Sequence, residues 1–215
     1  MIAALRASVP FEEFDYQVLM DGLTDYARPR DRVTRLLRDR AIIRVKKGLY
    51  VFGPTYRRGR WSRELLANLI SGPSYVSFEY ALWFHGLTPE HVETVTSATA
   101  GKARTYSTPV GRFLYRPVPA RVFWMGVTRM EAAPGRGFLM ATREKALVDT
   151  LMRARRIGPV TRSRIETLLF DDLRCAAEDL ASLDATIIAE LARQWPSPRL
   201  SVLAGIIRGL REARP

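Results

Sequence analysis

Residues 28–63 read RPRDRVTRLLRDRAIIRVKKGLYVFGPTYRRGRWSR. They hold 13 Lys and Arg against Asp31 and Asp39 alone, a local balance of +11. The whole 215-residue chain carries 34 basic and 22 acidic side chains, a net of +12, so outside the window 21 basic residues face 20 acidic ones. Charge needed only for solubility is spread over a surface. Charge gathered on one short module suits a polyanion, because each phosphate neutralised releases condensed counterions.

The same window is ordered as helix, tight hairpin and basic tail. Pro29 suits the first helical position, where its missing N–H costs nothing. Val33, Leu36 and Leu37 form the buried stripe of that helix, and Asp31, Thr34, Arg35 and Arg38 lie opposite, with Arg32 on one flank. Ile42–Val45 and Leu49–Phe52 are β-branched or aromatic runs joined by Lys46-Lys47-Gly48, with Gly48 free to supply a positive φ. Upstream, Asp15 is a candidate N-cap for a helix through Leu23 that shares Tyr16, Leu19, Met20 and Leu23 on one face. This order predicts an N-terminal winged helix-turn-helix over residues 1–60, with 1–7 supplying its first helix. Residues 54–63 are an arginine-rich connector to a second domain over 61–215.

Hydrophobic residues make up 47% of the chain and charged ones 26%, the balance of a folded protein rather than a disordered one. No apolar run has signal-peptide or membrane-span length, which predicts a cytoplasmic protein without membrane attachment. Cys175 is the only cysteine, and His85 and His91 are the only histidines. An internal disulfide, a cysteine-based zinc site and a multi-histidine centre are therefore excluded, and no cofactor is expected.

In the second domain, Trp61–Ile70 and Ser77–Phe84 read as helices, the latter capped by Ser77 and stopped by Gly86. Five short strands follow over Val92–Thr96, Ala103–Thr108, Arg112–Val118, Val122–Val127 and Phe138–Met140, divided by Pro- and Gly-bearing turns. Thr142 caps a helix through Met152 with Ala146, Leu147, Thr150 and Leu151 facing inward. The rest, from Thr161, is helical. The predicted class is α/β (α+β): the winged helix, a central mixed domain with a small antiparallel sheet, and a helical C-terminal segment.

Three stretches together resemble the AbiEi-type antitoxins, transcriptional regulators of abortive-infection (viral-defence) toxin–antitoxin systems. They are Arg44-Val45-Lys46-Lys47-Gly48-Leu49-Tyr50-Val51; Tyr75-Val76-Ser77-Phe78-Glu79-Tyr80-Ala81-Leu82, running on to His85-Gly86-Leu87-Thr88-Pro89; and Ala141-Thr142-Arg143-Glu144-Lys145-Ala146-Leu147-Val148-Asp149. The resemblance implies a type IV antitoxin that represses its own operon by binding inverted repeats in double-stranded promoter DNA. It further implies a nucleotidyltransferase-like toxin as functional partner, countered without a tight complex.

The residues themselves suggest how DNA is held. Arg35 and Arg38 would place guanidinium forks on guanine edges in the major groove, beside Thr34. Arg30 and Arg32 would sit near the groove edge and hold phosphates, and Arg28 is a further DNA-binding candidate. Arg44, Lys46 and Lys47 would lie along the backbone as a wing, although tip lysines also keep an exposed edge from pairing. Arg57, Arg58 and Arg60 form an Arg-Gly-Arg segment that a narrow minor groove could take, or simply a basic linker. Glu144, Lys145 and Asp149 could be forced into a nuclease constellation, but they lie on one predicted helix. Absence of enzymatic activity is expected, with a nuclease or a protein-interaction module with a basic face as alternatives.

Overall fold

In the computed structural model of the chain, residues 2–154 and 159–213 are described. The first stretch runs α1 (Ile2–Ser8), β1 (Glu13–Asp15), α2 (Tyr16–Asp21), α3 (Pro29–Arg38), β2 (Ile42–Lys46) and β3 (Leu49–Phe52). Met1, expected in the first helix, lies outside the described residues. Asp15 caps α2 by accepting from Val18 N–H, and Pro29 opens α3, both as the local chemistry requires. The three strands form one antiparallel sheet in the order β1-β3-β2.

The middle strand of this sheet, β3, is buried on both faces. Tyr50 and Phe52 of β3 pack into a core with Leu5, Leu19, Leu23, Val33 and Leu36 from the helices. Leu49 and Val51, one step out of phase, join the large core of the rest of the protein. The period-2 alternation of a strand thus makes β3 a shared wall between two cores. In β2, Ile42 belongs to the small core while Val45 belongs to the large one.

The rest comprises α4 (Arg63–Ile70), β4 (Ser74–Val76), α5 (Phe78–Phe84), β5 (Val95–Thr99), β6 (Arg104–Thr108), β7 (Gly111–Pro117), β8 (Val127–Ala133) and β9 (Arg136–Ala141). The helices α6 (Arg143–Arg153), α7 (Arg162–Glu166), α8 (Ala177–Ala181), α9 (Ala185–Gln194) and α10 (Pro198–Glu212) follow, with a π-helical segment over Thr167–Asp172. The protein is thus mixed α/β: a small three-stranded sheet with helices, a central sheet and a helical C-terminal part. Among the described residues no helix is long and apolar enough to cross a membrane.

The small antiparallel sheet expected in the centre is corrected: there are six strands in the order β6-β7-β5-β4-β9-β8, and β4/β9 and β5/β7 are parallel. Ser74–Val76 is buried throughout, with no polar–apolar alternation to betray a strand, yet it occupies the centre of the sheet. The strand expected over Val122–Val127 is also corrected. Ala120–Val122 is a 3₁₀ turn burying Val122 and Phe123, and β8 begins only at Val127. The break falls at Gly126, whose φ is +64° and whose Cβ, were there one, would sit 2.9 Å from Lys145 Cβ.

Candidate nucleic-acid interface

The stripe Val33/Leu36 seats α3 on the small core, and the opposite face of the helix is open. Arg30, Thr34, Arg35 and Arg38 are all exposed, as is Arg28 at the N-cap position. Arg35 lies 3.6 Å from Asp39, and Arg38 lies 3.4 Å from the same carboxylate. These are solvent-screened pairs that hold side chains weakly. Arg32 is half-buried, its guanidinium 4.8 Å above the Tyr26 ring, and Thr34 donates to Arg30 O at 3.2 Å.

The hairpin divides its three cations. Arg44 is exposed on β2, and Lys47 is exposed in a two-residue turn with Gly48 at φ +86°. A register shift between Arg44 and Lys46 re-aims the next side chain, as bulges do. Lys46 consequently donates to Ile70 O, 2.5 Å away at the end of α4. Its ammonium sits at a helix C-terminus, where unsatisfied carbonyls favour a cation.

Arg57, Arg58 and Arg60 are exposed, but the backbone carrying them is held down. Glu12 Oε1 accepts from Arg58 N–H at 2.9 Å, from Gly59 N–H at 3.1 Å and from Arg6 at 2.6 Å. Glu13 Oε1 accepts from Ser62 N–H at 2.5 Å, and its other oxygen lies 3.3 Å from Arg136. Arg57 covers the Trp61 ring at 5.2 Å. The structure therefore leaves Arg28, Arg30, Arg35, Arg38, Arg44 and Lys47 exposed and holds the connector backbone as a strap. Sequence reasoning missed the Glu12/Glu13 clamp. Its signal was present as two adjacent acids just upstream of the most basic stretch.

A second missed feature lies inside the large core. Lys145 and Asp149, fully buried and one turn apart on α6, form an ion pair at 2.8 Å. Asp149 Oδ2 accepts from Ser77 Oγ at 2.8 Å and Tyr75 OH at 3.0 Å. Ser77, expected to cap α5, makes no cap hydrogen bond; its hydroxyl donates to Asp149 instead. Burial drives the Asp149 carboxyl upward, while Lys145, Ser77 and Tyr75 pull it back. Burial, then the Asp149 charge, raises the Tyr75 hydroxyl. Two of the stretches singled out in the sequence thus meet in one polar knot sealed from water.

His85 ends α5 with Nε2 2.8 Å from Ala141 O, which ties the helix end to the end of β9. Among the described residues no group of His, Cys, Asp and Glu is arranged to hold a metal. Burial pushes the Cys175 thiol up to about 11, leaving it protonated at neutral pH.

No protein-family model matches the chain, and no curated protein does. Among solved structures it is similar to the crystal structure of the RV2827C protein from Mycobacterium tuberculosis, with a TM-score of 0.54 and 18% sequence identity. The likeness covers 95% of this chain and 79% of that one. At this identity what is shared is the fold.

Proposed function

We propose that residues 2–60 are a winged helix-turn-helix and that the chain is a cytoplasmic, sequence-specific DNA-binding repressor, the AbiEi-type antitoxin of a type IV system whose operon it autoregulates. The observation that carries the DNA reading is the open face of α3, where Arg30, Arg35 and Arg38 stand exposed against Asp31 and Asp39 alone. In this reading α3 enters the major groove, Arg35 and Arg38 reach base edges, and Arg28 and Arg30 hold phosphates. Arg44 and Lys47 serve as the wing, and Lys46 is assigned to docking the hairpin on α4 rather than to DNA.

The antitoxin role rests on the resemblance of the three stretches. Tyr75, Ser77, Lys145 and Asp149 support it through packing, not as a contact surface, because all four are buried. The same burial speaks against the nuclease alternative, since Lys145 and Asp149 cannot reach a scissile phosphate without unfolding α6.

A mobility-shift titration of the full chain against DNA upstream of its own gene tests the DNA reading. A discrete complex that a scrambled duplex does not compete away is expected. Equal competition by scrambled DNA overturns sequence specificity. Co-expression with the neighbouring gene tests the antitoxin role, which fails if that gene is harmless alone or stays toxic in the presence of this protein.

A further inference from the structure

The clamped connector is also one wall of a cleft of about 560 Å³ between the two cores. Trp61 stands on the connector side, and Phe84, Met130 and Phe138 stand on the side of the central sheet. Phe84 is an exposed large apolar residue, which leaves aromatic surface in water at the edge of the cleft. A concave, largely apolar space at the junction of two folding units is where small ligands preferentially bind.

The charges in the cleft are unevenly committed. Glu12 is paired with Arg6, and Glu13 with Arg136. Glu64 accepts from the Ser62 and Tyr80 hydroxyls, and Glu131 lies 3.3 Å from Arg129. Arg58 and Arg60 line the same cleft, and neither has an ion-pair partner among the described residues. The Glu12 and Glu13 contacts pin the connector backbone at Arg58, Gly59 and Ser62, on either side of Arg60. Two exposed guanidiniums carried on a pinned backbone in a cleft that also holds Trp61 and Phe84 match an anionic group attached to a flat ring.

We propose that this cleft binds a small planar aromatic anion, with its ring against Trp61 and Phe84 and its phosphate or carboxylate on Arg58 and Arg60. The connector is then the strap of an effector site rather than a minor-groove arm. Arg58 and Arg60 also belong to the basic window, so occupancy withdraws two cations from the DNA-attracting field and weakens operator binding. That coupling alone rests on the DNA reading above.

The test uses the full chain, titrated with adenosine monophosphate, with salicylate and with adenosine, and followed by calorimetry. Saturable binding of an anionic probe is expected, and the first two arms tell a nucleotide from an aryl carboxylate. Adenosine, the same ring without the phosphate, is expected to bind about tenfold more weakly than the monophosphate or worse. Arg58→Ala/Arg60→Ala changes only exposed side chains and is expected to raise Kd for the anion about tenfold, with Phe84→Ala reading the ring contact independently. The proposal is overturned if neither anion saturates, if adenosine matches adenosine monophosphate, or if the double variant keeps the parent Kd. Loss of operator binding by the double variant with no anion binding returns these arginines to DNA and leaves the repressor reading standing. Saturable anion binding by a protein that ignores its upstream DNA does the reverse.

Discussion

Arg38 and Lys46 both belong to the basic window, but their surroundings give them different work. Arg38 projects from α3 into solvent with only Asp39 near it, whereas Lys46 is bound to Ile70 O. Arg38→Ala should cost about 1–3 kcal/mol on the operator and much less on random DNA. Lys47→Ala should weaken both DNAs by similar factors, and Lys46→Ala should lower thermal stability while leaving the specificity ratio alone. Competition titrations on operator and scrambled duplexes, with a melting curve for each variant, separate the three. A Lys46→Ala protein that melts normally but loses operator binding would contradict the docking role. Asp149→Asn is a second residue-scale case, because it strands the Lys145 ammonium in a fully buried site. A loss of about 3–5 kcal/mol in denaturant unfolding is expected, and a change within error would mean the ion pair is dispensable.

Two glycines of the hairpin region show how element geometry constrains sequence. Gly48 turns the tip at φ +86° with nothing near its missing side chain, so Gly48→Ala meets backbone strain alone, about 1 kcal/mol. Gly53 sits where an added Cβ would come 1.9 Å from Arg40 O, at the point where Gly53 N–H binds Ala41 O. Gly53→Ala should therefore open the base of the hairpin at a cost of about 1–3 kcal/mol, the larger of the two effects by chemical denaturation. What was legible in the sequence follows the same logic of local against remote causes. Asp15 and Thr142 cap helices through bonds to N–H groups a turn away, and Pro29 and Gly48 act through their own φ, so each could be read in place. Strands β1 and β4 have three residues each and exist because neighbours pair with them, so nothing in Glu13–Asp15 or Ser74–Val76 announces them. Of the interface, the arginine face of α3 was legible from the helical wheel. The diversion of Lys46 and the clamping of the connector were not, because both depend on residues far away in the chain.

At the scale of the molecule, the three-stranded sheet binds the two cores into one piece, with Leu49 and Val51 facing one and Tyr50 and Phe52 the other. A chain beginning at Ser62 loses Val45, Leu49 and Val51 from the large core. It should melt below the full protein and expose apolar surface to dyes such as anilinonaphthalene sulfonate; an unchanged melting temperature would show the hairpin to be a passive neighbour. The concentration of charge in residues 28–63 makes the central claim measurable in full-length protein. Operator affinity should be titrated by fluorescence anisotropy over a range of salt, for the parent and for Arg35→Ala/Arg38→Ala. With about six phosphate contacts, log K for the parent is expected to fall against log salt with a slope near −5, and the variant is expected to lose its preference for operator over scrambled DNA. A parent slope shallower than about −2, or a variant with undiminished preference, would contradict the claim that the basic face of α3 reads DNA.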